Sequence, residues 1–148
     1  MKEITRIVIK GSSGYVHVQY VYEDKFVITP DAVSYEYKPY LDDPNNPPRK
    51  WRYTSNSPEF REHFETVCGM IPYEMKRGPQ YAVTDIGQKN FEITFSDKTK
   101  EKYSFVVFND FFEDLFDCIK WFVPFTEMIP VTLRTAADEE EEPEIEVD

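Results

Sequence analysis

Alternation of apolar and polar positions dominates the first third of the chain and predicts strands. Ile4, Ile7, Val8 and Ile9 open a strand, and Lys10-Gly11-Ser12-Ser13-Gly14 reads as a turn. Over 15–22, Val16, Val18 and Tyr20 alternate with Tyr15, His17 and Gln19. Glu23-Asp24 predicts a short turn, 25–29 a strand and Pro30-Asp31 a further turn. Over 34–40, Tyr35 and Tyr37 fall on the face opposite Glu36 and Lys38. Residues 39–48 hold four of the eleven prolines and predict a loop, because proline offers no ladder donor and fixes φ. Alternation resumes over 50–55, with Trp51 and Tyr53 on one face and Lys50 and Arg52 on the other.

The period then changes to that of a helix. Ser57 suits an N-cap, Pro58 the first helical position and Glu59 the positive end of the dipole. Phe60, Phe64, Val67 and Ile71 form one apolar stripe, and Gly69 and Pro72 are expected to end the helix. Strands are predicted over 81–84, 91–96 and 102–108, with Asp97-Lys98-Thr99-Lys100 as a hairpin turn. Asn109 caps a second predicted helix that runs to about Phe122 and stops before Pro124.

The two strand–helix units overlay without a gap at an offset of 52 residues. Caps Ser57 and Asn109 coincide, the stripe Phe60, Phe64, Val67, Ile71 falls on Phe112, Phe116, Ile119, Val123, and Pro72 falls on Pro124. Only four of 24 aligned pairs are identical, so the overlay reads either as an internal repeat, about 15–73 and 81–125, or as two ordinary amphipathic units. The fold expected is α+β, a mostly antiparallel sheet with two helices packed on one face, built from two β-β-α units plus an N-terminal β-hairpin.

Helix two carries a second stripe, Phe111, Leu115, Cys118 and Phe122, where helix one has Glu59, His63, Thr66 and Met70. A helix apolar on two faces must bury both. Either helix one or the segment 125–133 covers the extra face, or it is a partner or homodimer surface.

Composition divides the chain. The net charge is −11, yet the last eleven residues carry eight acids and no base, so residues 1–137 hold 20 acids against 17 bases. A single domain is expected over 1–135, followed by a disordered acidic tail over 136–148. A hydrophobic fraction of 41% can fill a core, and an aromatic content of 16% excludes a wholly disordered chain. No run approaches a membrane span, the first residues lack the apolar core of a secretion signal, and two cysteines, Cys68 and Cys118, fit a reducing compartment; a cytoplasmic location is expected.

Candidate chemistry is sparse. The only histidines are His17, on a strand pattern, and His63, four residues after Glu59 without a third ligand at suitable spacing; both read as structural. Cys68 and Cys118 lie on or beside apolar stripes and read as inert thiols. The loop 10–14 lacks the spacing of a phosphate-binding loop and opens a strand. Asp110, Glu113, Asp114 and Asp117 form one acidic helix face, which reads as solvated rather than metal-binding. Bases at 49–52, 76–77 and 98–102 fall opposite the interleaved aromatics, and the net charge repels a polyanion, so nucleic acid is not expected.

No catalytic constellation, cofactor or metal site is expected. The first expectation is a non-enzymatic interaction protein (inhibitor, immunity-type or adaptor) that binds a protein partner or a second copy through Tyr35, Tyr37, Trp51, Phe111, Leu115 and Phe122. The alternative is a domain that encloses a small apolar ligand between sheet and helices; an enzyme is the least expected class. Glu144-Ile145-Glu146-Val147 has the alternation of an edge strand for a partner sheet.

Overall fold

A computed structural model describes residues 3–13, 21–77, 88–106, 109–124 and 129–135, without the side chains of Asn109 and Asp110. The expected strand around His17, the expected strand at 81–84, the capping side chain of Asn109, Asp110 of the acidic face and the tail over 136–148 lie outside the described residues.

Six strands form one sheet: β1 (Ile4–Ser12), β2 (Tyr22–Thr29), β3 (Ala32–Pro39), β4 (Arg49–Thr54), β5 (Lys89–Phe95) and β6 (Lys100–Phe105). Their order is β4-β3-β2-β1-β5-β6, and every neighbouring pair is antiparallel. Helix α1 (Pro58–Lys76) follows edge strand β4, and helix α2 (Glu113–Lys120) follows edge strand β6. The fold is therefore the expected α+β class, with its two β-β-α units at opposite edges of the sheet. Short 3-10 turns span Asn109–Phe112 and Val131–Leu133.

Alternation sorts the faces as expected. Ile7, Ile9, Phe26, Ile28, Val33, Tyr35, Phe91 and Ile93 join the helix stripes in one core. Phe91, Phe105, Phe112 and Phe116 meet largely edge to face, with Phe105 and Phe112 centroids 4.9 Å apart. Ser57 caps α1 by accepting a bond from the Phe60 N–H. The β5–β6 hairpin places Lys98 at φ 70, and Asp97 Oδ1 stabilises it by accepting from the Thr99 N–H.

Four boundaries differ from expectation, each because a distant contact outweighs a local signal. Strand β1 runs through Lys10, Gly11 and Ser12, which pair with Lys25, Asp24 and Glu23 of β2. For the same reason Glu23-Asp24 is strand and not turn. Helix α1 continues past Gly69 and Pro72 to Lys76, since Ile71 and Met75 bury on its inner face and Arg77 bonds Glu74 at the end. Helix α2 is short, and the expected first turn is the 3-10 turn Asn109–Phe112.

Candidate functional site

Burial sorts the six candidate partner residues. Tyr35, Tyr37, Leu115 and Phe122 are 4%, 6%, 0% and 2% exposed, so these four face the interior and offer no surface anchor. Helix α1 covers Phe122 through Phe60 and His63, whereas Tyr35 is held by Asp24, Trp51 and the Val131 N–H, and Tyr37 by Tyr22, Asn46 and Arg49. Phe122 meets Phe60 edge on at 4.8 Å, while the Arg77 guanidinium lies 4.2 Å over Phe111 and bonds its carbonyl. Trp51 and Phe111 are half-buried.

The inner face of the sheet carries a polar group that alternation did not disclose. Asp24, Gly11 and Lys89 stand side by side on β2, β1 and β5. Thr132 of the C-terminal 3-10 turn lies over Gly11, where an added Cβ would come within 2.6 Å of its hydroxyl. Asp24 Oδ2 accepts from the Tyr35 hydroxyl at 2.8 Å and from the Thr132 N–H at 2.9 Å, and the Tyr35 hydroxyl accepts from the Val131 N–H. Lys89 Nζ donates to the Thr132 carbonyl at 2.8 Å and to its hydroxyl. All of these groups are buried, and their bonds converge on residues 131–132, so the cluster latches the C-terminal segment onto the sheet.

Burial raises the Asp24 carboxyl, against the opposing Tyr35 hydrogen bond and Lys89 charge, and holds Lys89 down at about 8. From about 8 to the ordinary lysine value of 10.5 the unfolded chain holds a proton that the folded chain has released, so Lys89 makes stability rise with pH there. Half-buried Cys68, Cys118 and Tyr22 and buried Tyr35 are raised and oppose this trend above their own ordinary values. The Lys89 contribution is therefore read as a difference. Between pH 8 and pH 10 wild type is expected to gain up to about 2 kcal/mol on Lys89→Met. Parallel melting-temperature profiles for the two chains would contradict this account of Lys89.

His63 and the two cysteines serve the packing of the helices. His63 Nε2 donates to the Cys118 carbonyl at 2.6 Å, and its ring stacks on Trp121 at 4.3 Å. Burial pushes the Cys68 thiol up to about 12 and raises Cys118, which keeps both protonated and poorly nucleophilic at neutral pH. Among the described residues no group of three His, Cys, Asp or Glu is placed to hold a metal. An open cleft of about 560 Å³ lies between α1 and one end of the sheet, with Phe64, Cys68 and Phe95 in its wall.

Beside β4 the arrangement is different. Strand β4 pairs with β3 on one side and with no described strand on the other, leaving a row of backbone groups open. Tyr53 at its end is 47% exposed and Trp121 51%, and the two rings flank buried Phe60 at 6.4 and 6.3 Å. Between them opens a cleft of about 370 Å³ that also takes in Ser55, Ser57 and Pro124. On the outer face of β4, Lys50 reaches Glu36 at 3.6 Å with 81% of its side chain exposed, and Arg52 has no ion-pair partner among the described residues. Trp51 Nε1, although buried, has no acceptor among the described residues. Sequence reasoning passed over Trp121, yet a signal was present. It belongs to neither apolar stripe of the second helix, so it sits on the flank where an aromatic ring stays partly wet.

Lys50 and Arg52 lie on the face opposite Trp51 and Tyr53, as expected, but Arg49 shares the aromatic face, with its guanidinium 4.4 Å over the Tyr37 ring. The outer face bears Lys50, Glu36, Lys25 and Lys10 in one row across four strands. No helix of the described chain is long and apolar enough to cross a membrane. The chain matches no protein-family model, and no curated protein is significantly similar to it.

Proposed function

We propose that this chain is a non-enzymatic protein-interaction module that takes an extended segment of a partner protein onto the open edge of β4. One observation carries the reading: Trp121 and Tyr53, both about half exposed, flank a cleft beside an unpaired strand edge. Exposed aromatic rings next to unsatisfied backbone groups supply the two parts of strand addition, main-chain pairing for affinity and pockets for alternate side chains. The side chains of β4 also state what the segment should be. On the outer face it would lie beside Lys50 and Arg52, which favour acids. On the inner face it would lie beside Trp51 and Tyr53, which favour apolar residues. Alternating acidic and apolar residues meet both demands. The orphan indole N–H of Trp51 marks the same place as one whose polar groups are incompletely satisfied.

A synthetic peptide of four Glu-Val repeats tests the reading by NMR titration. Shifts are expected at the β4 amides and the Trp121 indole, with a Lys-Val peptide inactive. Trp121→Ala and Tyr53→Ala should each weaken binding about tenfold or more, the usual scale for an aromatic anchor. Peptide-induced shifts elsewhere on the protein, with β4 silent, would sink the proposal.

A further inference from the structure

We infer that the outer face of the sheet is a second docking surface, which takes a short acidic segment of a protein partner through side-chain charge. The helices pack on the other face. Strand register places Lys10, Lys25 and Lys50 in one row of the outer face and Arg52 and Lys102 at the two ends of the next. Arg6 and Lys100 belong to a third row, and Lys38 lies two residues beyond Glu36 on β3. The acids of this face are Glu23, Glu36 and Glu92. Eight bases against three acids leave an excess of five positive charges here, in a chain whose net charge is −11.

Much of that charge is unanswered within the protein. Glu36 is held by Lys38 at 3.0 Å and Lys50 at 3.6 Å, and Glu92 by Lys100 at 3.1 Å. Arg6, Lys10, Lys25, Arg52 and Lys102 have no ion-pair partner among the described residues, and all but Arg6 are exposed. Lys10 and Lys25 stand directly opposite each other on β1 and β2. Like charges in that position repel and cost stability. Glu36 lies across from Lys25 but bonds Lys38 and Lys50 instead. A partner's carboxylate set between the two ammonium groups would relieve the repulsion.

Shape and range select the partner. Ser34, Val27 and Val8 form an uncharged strip of small side chains in the middle row, so the bases stand around a shallow floor. Among the described residues no aromatic ring stands on this face, so the bases of a single-stranded nucleic acid have nothing to stack on. Six of the eight cations are lysines, whereas phosphate is gripped best by the arginine fork. Six strands span about 24 Å, and charge farther than about 8 Å away is screened at physiological salt. A duplex or a membrane reaches past the rim and meets the negative remainder of the chain. A segment of about eight extended residues stays over the bases. The surface adjoins the β4 edge at Lys50 and Arg52, so one protein partner can use both, yet it works by charge and stands whether or not β4 takes a strand.

An NMR titration of the full chain with octaglutamate tests the inference, because this peptide lacks the apolar residues that suit the inner face of β4. Shifts are expected at the amides of Lys10, Lys25, Arg52 and Lys102, and they should fade as salt is raised. Lys10→Gln, Lys25→Gln should weaken binding about tenfold. Arg61→Gln, Lys76→Gln removes the same charge from α1, in the other layer, and should change affinity by less than about twofold. Since the lysine pair repels, the Lys10→Gln, Lys25→Gln chain is expected to melt no lower than wild type, which separates lost binding from a lost fold. An unshifted outer face, or equal weakening by the two double variants, overturns the docking surface and leaves the β4 edge to be judged by the Glu-Val peptide. A DNA duplex or phosphatidylserine vesicles that bind more tightly than octaglutamate through the same two lysines overturn the choice of a protein segment.

Discussion

Replacing Phe122 by glutamate is expected to leave the chain unfolded at room temperature. The ring is 2% exposed and wedged among Phe60, His63 and Trp121, with centroids 4.8, 5.0 and 5.2 Å away. Deleting a buried aromatic costs about 3–5 kcal/mol, and a carboxylate forced into that site adds several more or must take up a proton. Together these losses match the whole stability of an ordinary domain, about 5–15 kcal/mol. Phe111→Glu is the internal control. Phe111 is half-buried and already lies under the Arg77 guanidinium, which would meet the new carboxylate, so a loss of only about 1–2 kcal/mol is expected. Circular dichroism melts of both variants, with sedimentation of wild type, decide the matter. A folded, monomeric Phe122→Glu chain beside a dimeric wild type would move this stripe from the core to an interface.

Gly11→Ala should have the next largest effect. A Cβ there would stand 2.5 Å from Asp24 Oδ1, 2.6 Å from the Thr132 hydroxyl and 3.0 Å from Thr132 Cβ. No real side chain tolerates these distances, and Asp24 is held in place by Tyr35 and by the Thr132 backbone. The least costly relief is to lift residues 131–133 away. That movement leaves Lys89 without its two acceptors and Asp24 without one of its two donors. The loss is expected to be about 2–4 kcal/mol, from overpacking and from buried polar groups left unpaired. Chemical denaturation measures the total, and hydrogen exchange should show the amides of Val131 and Thr132 released first. A variant as stable as wild type would mean that the latch does not hold the C-terminal segment to the sheet.

Much of the fold is legible in the sequence. Period-2 alternation separated Trp51 and Tyr53 from Lys50 and Arg52, and the structure keeps that separation. The Ser57 cap and the stripe Phe60, Phe64, Val67, Ile71 announced α1. Where the reading failed, the local signal was real but weaker than a distant one. Asp24 favours turns, yet its carboxylate is bonded by Tyr35 and Thr132, residues 11 and 108 positions away. Gly11 favours turns too, but here its missing side chain makes room for Thr132. Pro72 gives up one helical hydrogen bond, and the burial of Ile71 and Met75 outweighs it.

The interaction site was harder to read, for a related reason. Aromatic character marked Tyr35, Tyr37 and Phe122 as anchors as plainly as it could have marked Tyr53 and Trp121. Only the tertiary packing decides which rings are covered: α1 covers Phe122, while sheet neighbours, the loop after β3 and the C-terminal segment cover Tyr35 and Tyr37. By itself the sequence determined the class of most described elements, the apolar and charged faces of strands such as β3 and β4, and the alternating acids and β-branched residues over 144–148. Only the tertiary structure decided the strand order, the latch over Gly11, the open edge at β4 and the two rings left half exposed beside it. A periodic pattern reports which way a side chain points along its own element, whereas burial and pairing depend on what the rest of the chain brings to meet it.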